Sequence, residues 1–359
     1  MQRILHSDRR NLLGEHTYNL MESEKVTGPL GVAVVGMGAI GRDHAAIYQG
    51  LGNCRLVTVC DPAIDRIGVD AAWEGVKATR SLDEVLNDEA VEAVSLCTPD
   101  HLHFEDARKI IASGKHLLLE KPIATEPEQV KQLVELAEWA PVTVMPGQTL
   151  RFEPRYHEAK AQVSSGAVGQ PIHGYLRRNN KAAVAARANG RVSVSYFLGV
   201  HDVDALLWIT GEQVSEVQAL KSAVKDASGA QAAAVMANLL LEGGAAVQLE
   251  AAWALPDSHP SDLDSRFRLV GTAGEISIDT PSNGFHVASS DYRMPMPEWG
   301  ARYGAQYGPL YEEIAHFVQC CRDGADPAVT MREAANAVLV IDAIERAASS
   351  GQREKVTRL

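Results

Sequence analysis

Gly31-Val32-Ala33-Val34-Val35-Gly36-Met37-Gly38-Ala39-Ile40-Gly41 decides the fold class. An apolar run of strand type flows into Gly-x-Gly-x-x-Gly, and a helical stretch follows from about Arg42 to Leu51. Strand, glycine turn and helix in that order are the context in which this pattern holds a dinucleotide. The first glycine permits the tight turn, the second lets the backbone approach a pyrophosphate, and the third lets helix and strand pack closely. The helix amino terminus offers free N–H groups and a favourable dipole to phosphates. Residues 55–61 read as the second strand, and its last residue, Asp61, stands 25 residues after Gly36, where an acid meets adenosine ribose hydroxyls. A glycine turn with an incidental acid is the bland alternative. Asp61 would repel a ribose phosphate and Pro62 supplies no cation, so NAD is expected ahead of NADP; Arg66 is the neighbouring cation that would reverse this.

Outward from this turn, helices at about 82–86, 104–113 and 126–139 alternate with apolar runs at 91–97, 115–119 and 141–145. That alternation implies βαβ units and a parallel sheet. After about Leu150 the pattern changes to strands at 171–178, 214–220, 233–241, 245–253, 265–270 and 275–280, with helices at 200–209, 310–321 and 331–349. Val247, Leu249 and Ala251 alternate with Gln248 and Glu250, as on an antiparallel sheet with two unlike faces. The expected fold is an α/β Rossmann domain plus an α+β domain on an open, mostly antiparallel sheet. The expected boundaries are an extension over 1–30, a dinucleotide domain over 31–150 and a substrate and oligomerisation domain over 151–359. The extension lacks the apolar core of a signal peptide; it is either a loose segment or an arm that packs on a neighbouring subunit.

A length of 359 residues is enough for two substantial cores. The net charge of −12 disfavours a nucleic-acid binder, and no apolar run reaches the length of a membrane span. Five cysteines without a Cys-x-x-Cys suggest neither a disulfide framework nor a metal site, so a cytoplasmic setting with no bound metal is expected.

Lys115-His116-Leu117-Leu118-Leu119 ends abruptly in Glu120-Lys121-Pro122. A buried strand ending in charge and proline reaches the rim of its sheet, and ligands bind beyond the carboxyl ends of such strands. Lys121 is then the first candidate for proton exchange or for polarising a reacting oxygen, with a plain surface lysine as the alternative.

With these residues in view, the chain resembles the glucose–fructose oxidoreductase / inositol dehydrogenase (Gfo/Idh/MocA-type) family. The resemblance rests on Thr98-Pro99-Asp100-x-x-His103, Gly114-Lys115-His116, Glu120-Lys121-Pro122 and Arg151-Phe152-x-Pro154. It continues in His201-Asp202-Val203-Asp204 with Trp208 and Gly211, in Gly271-x-x-Gly274, and in Glu313-Ile314-x-His316-Phe317, covering about residues 31 to 350. It implies oxidation or reduction of a secondary alcohol on a sugar, cyclitol or related ring with NAD or NADP. It implies cofactor contacts from Gly36, Met37, Gly38, Ala39, Ile40, Gly41, Asp61, Thr98, Pro99, His103, Glu120, Lys121, Pro122 and Gln148. It places Lys121 and His201 at the reacting centre, where an imidazole suits a general base. Asp204, three residues beyond His201, either orients that ring or pairs elsewhere. An open sheet face, which commonly forms subunit contacts in this family, implies a homodimer or homotetramer.

One departure stands out. Many members carry an aspartate four residues before this histidine, and here the residue is Phe197. Either Lys121 and His201 suffice, or Asp202 or Asp204 substitutes, or the site no longer oxidises alcohols. The competing functions are an NAD-dependent glycosidase of the same fold and a nucleotide-sensing regulator without turnover.

From Pro171 to His201 there is no Asp or Glu, whereas the chain as a whole has 46 in 359 residues. Arg177, Arg178, Lys181, Arg187 and Arg191, with Asn179, Asn180 and Asn189 among them, form a basic segment. Read as a substrate loop, with Arg178, Asn180 and Lys181 as contacts, it would select a phosphorylated sugar or nucleotide sugar. Read otherwise, it is a solvated or intersubunit basic strand.

Overall fold

The computed structural model describes residues 28–67, 73, 75–185, 191–225, 231–282, 287–288, 292–293, 300–302 and 305–359. Most of the amino-terminal extension, together with Arg187 and Asn189, lies outside the described residues.

The first unit is a six-stranded parallel sheet in the order β3-β2-β1-β4-β5-β6. Its strands are β1 (Leu30–Val35), β2 (Cys54–Cys60), β3 (Lys77–Thr79), β4 (Ala93–Leu96), β5 (His116–Leu119) and β6 (Val144–Pro146). β1 and β4 are buried at every residue, as strands covered on both faces must be. The covering helices include α1 (Ala39–Gly50), α2 (Ile64–Ile67), α3 (Leu82–Leu86), α4 (His103–Ala112) and α5 (Pro127–Trp139). The strand order reverses between β1 and β4, which creates the crevice where such sheets bind ligands. β3, three residues long with two exposed, was not anticipated, because so short a run carries no periodicity.

Helix α6 (Pro154–Ser164) was also missed. Its sequence is largely polar, but the start is well marked: Pro154 takes the first turn and the Glu153 side chain accepts the Tyr156 N–H.

The second unit is a seven-stranded sheet, ordered β12-β11-β7-β10-β9-β8-β17. It comprises β7 (Pro171–Lys181), β8 (Val214–Lys225), β9 (Gln231–Leu241), β10 (Ala246–Leu255), β11 (Leu263–Gly271), β12 (Glu275–Asp279) and, after the short antiparallel pairs β13 (Val287–Ala288) with β14 (Tyr292–Arg293) and β15 (Gly300–Arg302) with β16 (Ala305–Tyr307), β17 (Glu354–Lys355). Only β7 and β10 pair in parallel. Helices α7 (Val200–Thr210), α8 (Pro309–Asp323) and α9 (Met331–Ser350) complete the chain. Val235, Ala237 and Leu239 of β9, with Val247, Leu249 and Ala251 of β10, face a core shared with α7 and α9. The opposite face is open and presents Leu220 and Val224, 75% and 62% exposed, with Met236 and Leu240 beside them.

α9 begins with a capping box: the Thr330 side chain accepts the Glu333 N–H, and the Glu333 carboxylate receives the Thr330 N–H. α7 and α9 both end on a left-handed glycine, Gly211 and Gly351.

Candidate active site

The site lies at the carboxyl ends of β1, β4 and β5. Gly36 has φ +92°, and a Cβ there would stand 2.6 Å from Cys97 and Thr98 backbone atoms. Gly41 is forced by packing, since a Cβ would lie 1.9 Å from the Gly36 carbonyl oxygen. Gly38 differs from both. Its backbone is extended and a Cβ would meet nothing within 4 Å, so the apo fold does not require glycine there. The open space is the cradle a pyrophosphate would fill.

Other features also fit a dinucleotide. Among the described residues no side chain caps the start of α1, and no acid sits in its first turn, which suits its N–H groups to an anion. Asp61 is fixed by accepting the Met37 N–H at 2.9 Å and the Ala63 N–H at 2.8 Å. Each carboxylate oxygen keeps acceptor capacity for a ribose hydroxyl. The Thr98 hydroxyl oxygen, beside this turn, is buried without a hydrogen-bond partner. Gly38→Val should therefore leave Tm unchanged while raising the Kd for NAD about tenfold or more, equivalent to about 1.4 kcal/mol. Calorimetric titration with NAD beside a thermal melt checks this; equal loss of stability would place the constraint in the fold.

Lys121 stands two residues past the end of β5, and its peptide bond to Pro122 is cis. Its ammonium donates to the Phe197 carbonyl oxygen at 3.1 Å and lies 4.6 Å from the centre of the Phe197 ring. Phe197 sits in a π-helical turn, Ser195–Gly199, that leads into α7 and His201. Such turns insert one residue into the helical register and concentrate at functional sites. The turn is tied down by Tyr196, whose hydroxyl donates to the Thr125 carbonyl at 2.9 Å.

Lys121 and His201 are both partly exposed and close enough to influence each other's ionisation. Burial, then the charges of Lys121 and Arg178, push the His201 imidazole well below its ordinary range. Burial also lowers the Lys121 ammonium, with Glu120 opposing and Arg178 reinforcing. Both shifts favour the neutral forms, and more strongly at the imidazole.

Several family-implied residues hold the site from behind. Glu120 is buried; its carboxylate meets His44 Nε2 at 3.2 Å and accepts the Lys121 N–H at 3.2 Å. His44 continues to Ser95 at 2.9 Å, and Ser95 to Tyr48 at 3.0 Å, so α1, β4 and the end of β5 share one buried polar chain. Burial opposes the Glu120 charge, yet His44, and then Lys121 and His103, hold its carboxyl below the usual range. Glu313 of α8, fully buried near Gly147 and Glu120, is pushed well above that range by burial and by Glu120. His103 uses both ring nitrogens on carbonyls, of Pro122 and Thr98, each at 2.7 Å. Gln148 is buried just after β6. Sequence reasoning missed His44, Ser95 and Tyr48; the available signal was a histidine on the sheet-facing side of α1.

Asp204 does not orient His201. Its carboxylate takes both arms of Arg151, at 2.9 and 2.7 Å, and Arg151 also reaches Glu333 at 3.0 Å. The basic segment is not a free patch either. Arg178 pairs with Asp202 at 2.6 Å, Arg177 with Asp264 at 2.5 Å and Lys181 with Asp262 at 2.8 Å, while Asn180 donates to the Asp262 carbonyl at 2.9 Å. The acids missing along the chain arrive across the fold, from α7 and from the β11 edge. Asp202 is likewise engaged by Arg178 and does not replace the aspartate absent at Phe197.

A cleft of about 810 Å³ lies at the other end of the sheet, lined by His116, Thr143 and Arg322 among others. It borders the beginning of β5, whereas Lys121 follows its end. Among the described residues no cluster of three or more His, Cys, Asp or Glu is placed to hold a metal, and no helix is long and apolar enough to cross a membrane.

A Rossmann-type sheet with a glycine cradle and a rim lysine, joined to an open-sheet domain that delivers a histidine, defines a nucleotide-dependent oxidoreductase. Residues 30–148 match the family model for an oxidoreductase family NAD-binding Rossmann fold, and residues 172–357 match that family's C-terminal alpha/beta domain. The chain belongs to this Gfo/Idh/MocA oxidoreductase family. It is 28% identical to scyllo-inositol 2-dehydrogenase (NAD(+)) of Bacillus subtilis over 83% of this chain and 88% of that protein. It is 27% identical to myo-inositol 2-dehydrogenase of Thermotoga maritima over 86% of this chain and 93% of that protein. The fold is similar to scyllo-inositol dehydrogenase from Lactobacillus casei with bound NAD(H) and scyllo-inositol. The TM-score is 0.77 at 19% identity, covering 91% of this chain and 99% of that one.

Proposed function

We propose that the protein is an NAD-dependent dehydrogenase acting on a secondary alcohol of a cyclitol or related uncharged polyol. The observation that carries this reading is the meeting of Lys121, whose amine is seated on the Phe197 carbonyl, with His201 on the rim where the glycine cradle opens. The Lys121 ammonium donates to the alcohol oxygen and stabilises the negative charge that grows as the hydroxyl proton leaves. His201 accepts that proton. NAD, which Gly36, Gly38, Gly41 and Asp61 would hold, would supply the hydride acceptor, so that the alcohol would leave as a ketone with its proton on the imidazole.

The substrate class is supported in two ways. The β7 cations Arg177, Arg178 and Lys181 are each paired with an aspartate, so a phosphate would have to compete with these carboxylates. The similar relatives are named for inositols, which are uncharged polyols. The test is turnover with NAD on inositol isomers and on their phosphates; preference for the phosphates would return the basic segment to the substrate. Retention of Lys121 and His201 weighs against a regulator without turnover.

The pH dependence follows from the shifts. His201 titrates below its ordinary value, so oxidation should persist under mildly acidic conditions and fail only as pH drops through the lowered imidazole value. Lys121 is also lowered, so loss of the ammonium should begin below the ordinary lysine value of 10.5 as pH rises. A kcat/KM profile checks this; an acid limb at or above the ordinary imidazole value would exclude His201 as the base.

The apolar open sheet face supports a homodimer or homotetramer, which sedimentation of the full chain would decide; a monomer would contradict it. The five cysteines, all buried and unpaired, support a cytoplasmic setting; detection of the chain outside the cytoplasm by fractionation would contradict it.

A further inference from the structure

We infer that Phe197 is a positioning residue for Lys121: its carbonyl oxygen and ring face together seat the ammonium that meets the substrate oxygen, a task otherwise suited to a carboxylate. The inference rests on the reading of Lys121 as the polarising group. Three contacts define the seat. The ammonium donates to the Phe197 carbonyl at 3.1 Å, it lies 4.6 Å from the ring centre, and Trp253 holds the ring edge-on at 5.4 Å. Among the described residues Lys121 forms no ion pair, and the groups its ammonium touches are a carbonyl dipole and a π face. Both are neutral.

This arrangement has a chemical consequence. A carboxylate beside Lys121 would hold the proton tightly and would compete with the substrate oxygen for the ammonium. A carbonyl and a ring leave donors free and make the ammonium a stronger acid. They also add no anion beside His201, which favours its neutral form. The π-helical turn is what brings both the carbonyl and the ring of a single residue onto Lys121. The charged and titratable groups around Lys121 are Glu120 on its own segment, Asp100 at the turn after β4, Arg178 on β7 and His201 on α7. None of these changes in a Phe197 variant.

The test is a titration of Lys121 in the full chain labelled with ¹³Cε-lysine, with the resonance assigned by its loss in Lys121→Arg. Phe197→Leu keeps the carbonyl and removes the ring, so the Lys121 midpoint should fall by about half a pH unit. Phe197→Tyr keeps the ring and should titrate as the parent does. Phe197→Asp should raise the midpoint by about one unit or more. In polyol oxidation the basic limb of the kcat profile should follow the same order, with the Kd for NAD unchanged. An unaltered midpoint in both Phe197→Leu and Phe197→Asp would overturn the inference. If Phe197→Leu does not fold, Phe197→Met fills similar space without a ring and takes its place. If the midpoints shift as expected but no polyol is oxidised, the dehydrogenase reading fails and the seating of Lys121 stands.

Discussion

Lys121→Met should lower kcat for polyol oxidation about 10²- to 10⁴-fold, the range for loss of a group acting on the transferred proton or its oxygen. The expectation follows from where the amine sits. Lys121 lies two residues beyond β5 at the sheet rim, is fixed through its backbone N–H by the Glu120 carboxylate, and presents its ammonium beside His201. Methionine keeps an unbranched apolar stem and removes the charge and the donors that lie over the Phe197 ring. NAD affinity should change little, because the cradle of Gly36, Gly38 and Gly41 and the Asp61 carboxylate are untouched. Lys121→Arg adds a distinction. Arginine stays protonated and can still polarise an oxygen, but it cannot act as a base. Partial activity in Lys121→Arg would assign the proton to His201, and a loss equal to that of Lys121→Met would assign it to Lys121. Activity within about tenfold of the parent in Lys121→Met would remove the residue from the chemistry.

Arg151→Ala should destabilise the chain by about 3–5 kcal/mol, because it strands a buried carboxylate. Arg151 and Asp204 are only 4% and 1% exposed, so no water compensates for the missing guanidinium. The pair joins the turn after β6 to α7, and Glu333 extends it to the start of α9. Arg151 also stacks over Trp208, 5.6 Å from the ring, so packing is lost along with charge. A Tm fall on the order of 10 °C is expected for a chain of this size. Replacing both partners together, as Arg151→Met with Asp204→Leu, should recover much of that loss, since the cost lies in the unpaired charge. If Arg151→Ala melted within a degree or two of the parent, the pair would not be a structural tie.

Local backbone demands made much of this molecule legible. Gly36 is fixed by its positive φ and by the Cys97–Thr98 backbone after β4, Gly41 by the Gly36 carbonyl of the same turn, and the Gly-x-Gly-x-x-Gly spacing records both. β9 and β10 were legible because one face is buried and the other is not. Partnerships across the fold were hidden. Arg178 lies in a stretch without acids, yet Asp202 reaches it from α7. Asp204 stands one helical turn from His201, yet its carboxylate turns to Arg151. His103 and Glu120 carry motif positions that suggested cofactor contact, while their polar atoms are engaged by the protein itself. Phe197 looked like a loss at a catalytic position. The π-helical turn, which no periodicity announces, instead brings its carbonyl and ring onto Lys121.

The most direct measurement is NADH formation, followed by absorbance, when the purified chain is given NAD and a panel of inositol isomers, other polyols and their phosphates. A dehydrogenase of uncharged cyclitols should form NADH in step with ketone from at least one inositol and poorly from its phosphate, and Lys121→Met should abolish the signal. NAD binding without turnover anywhere in the panel, or product without net NADH, would contradict it.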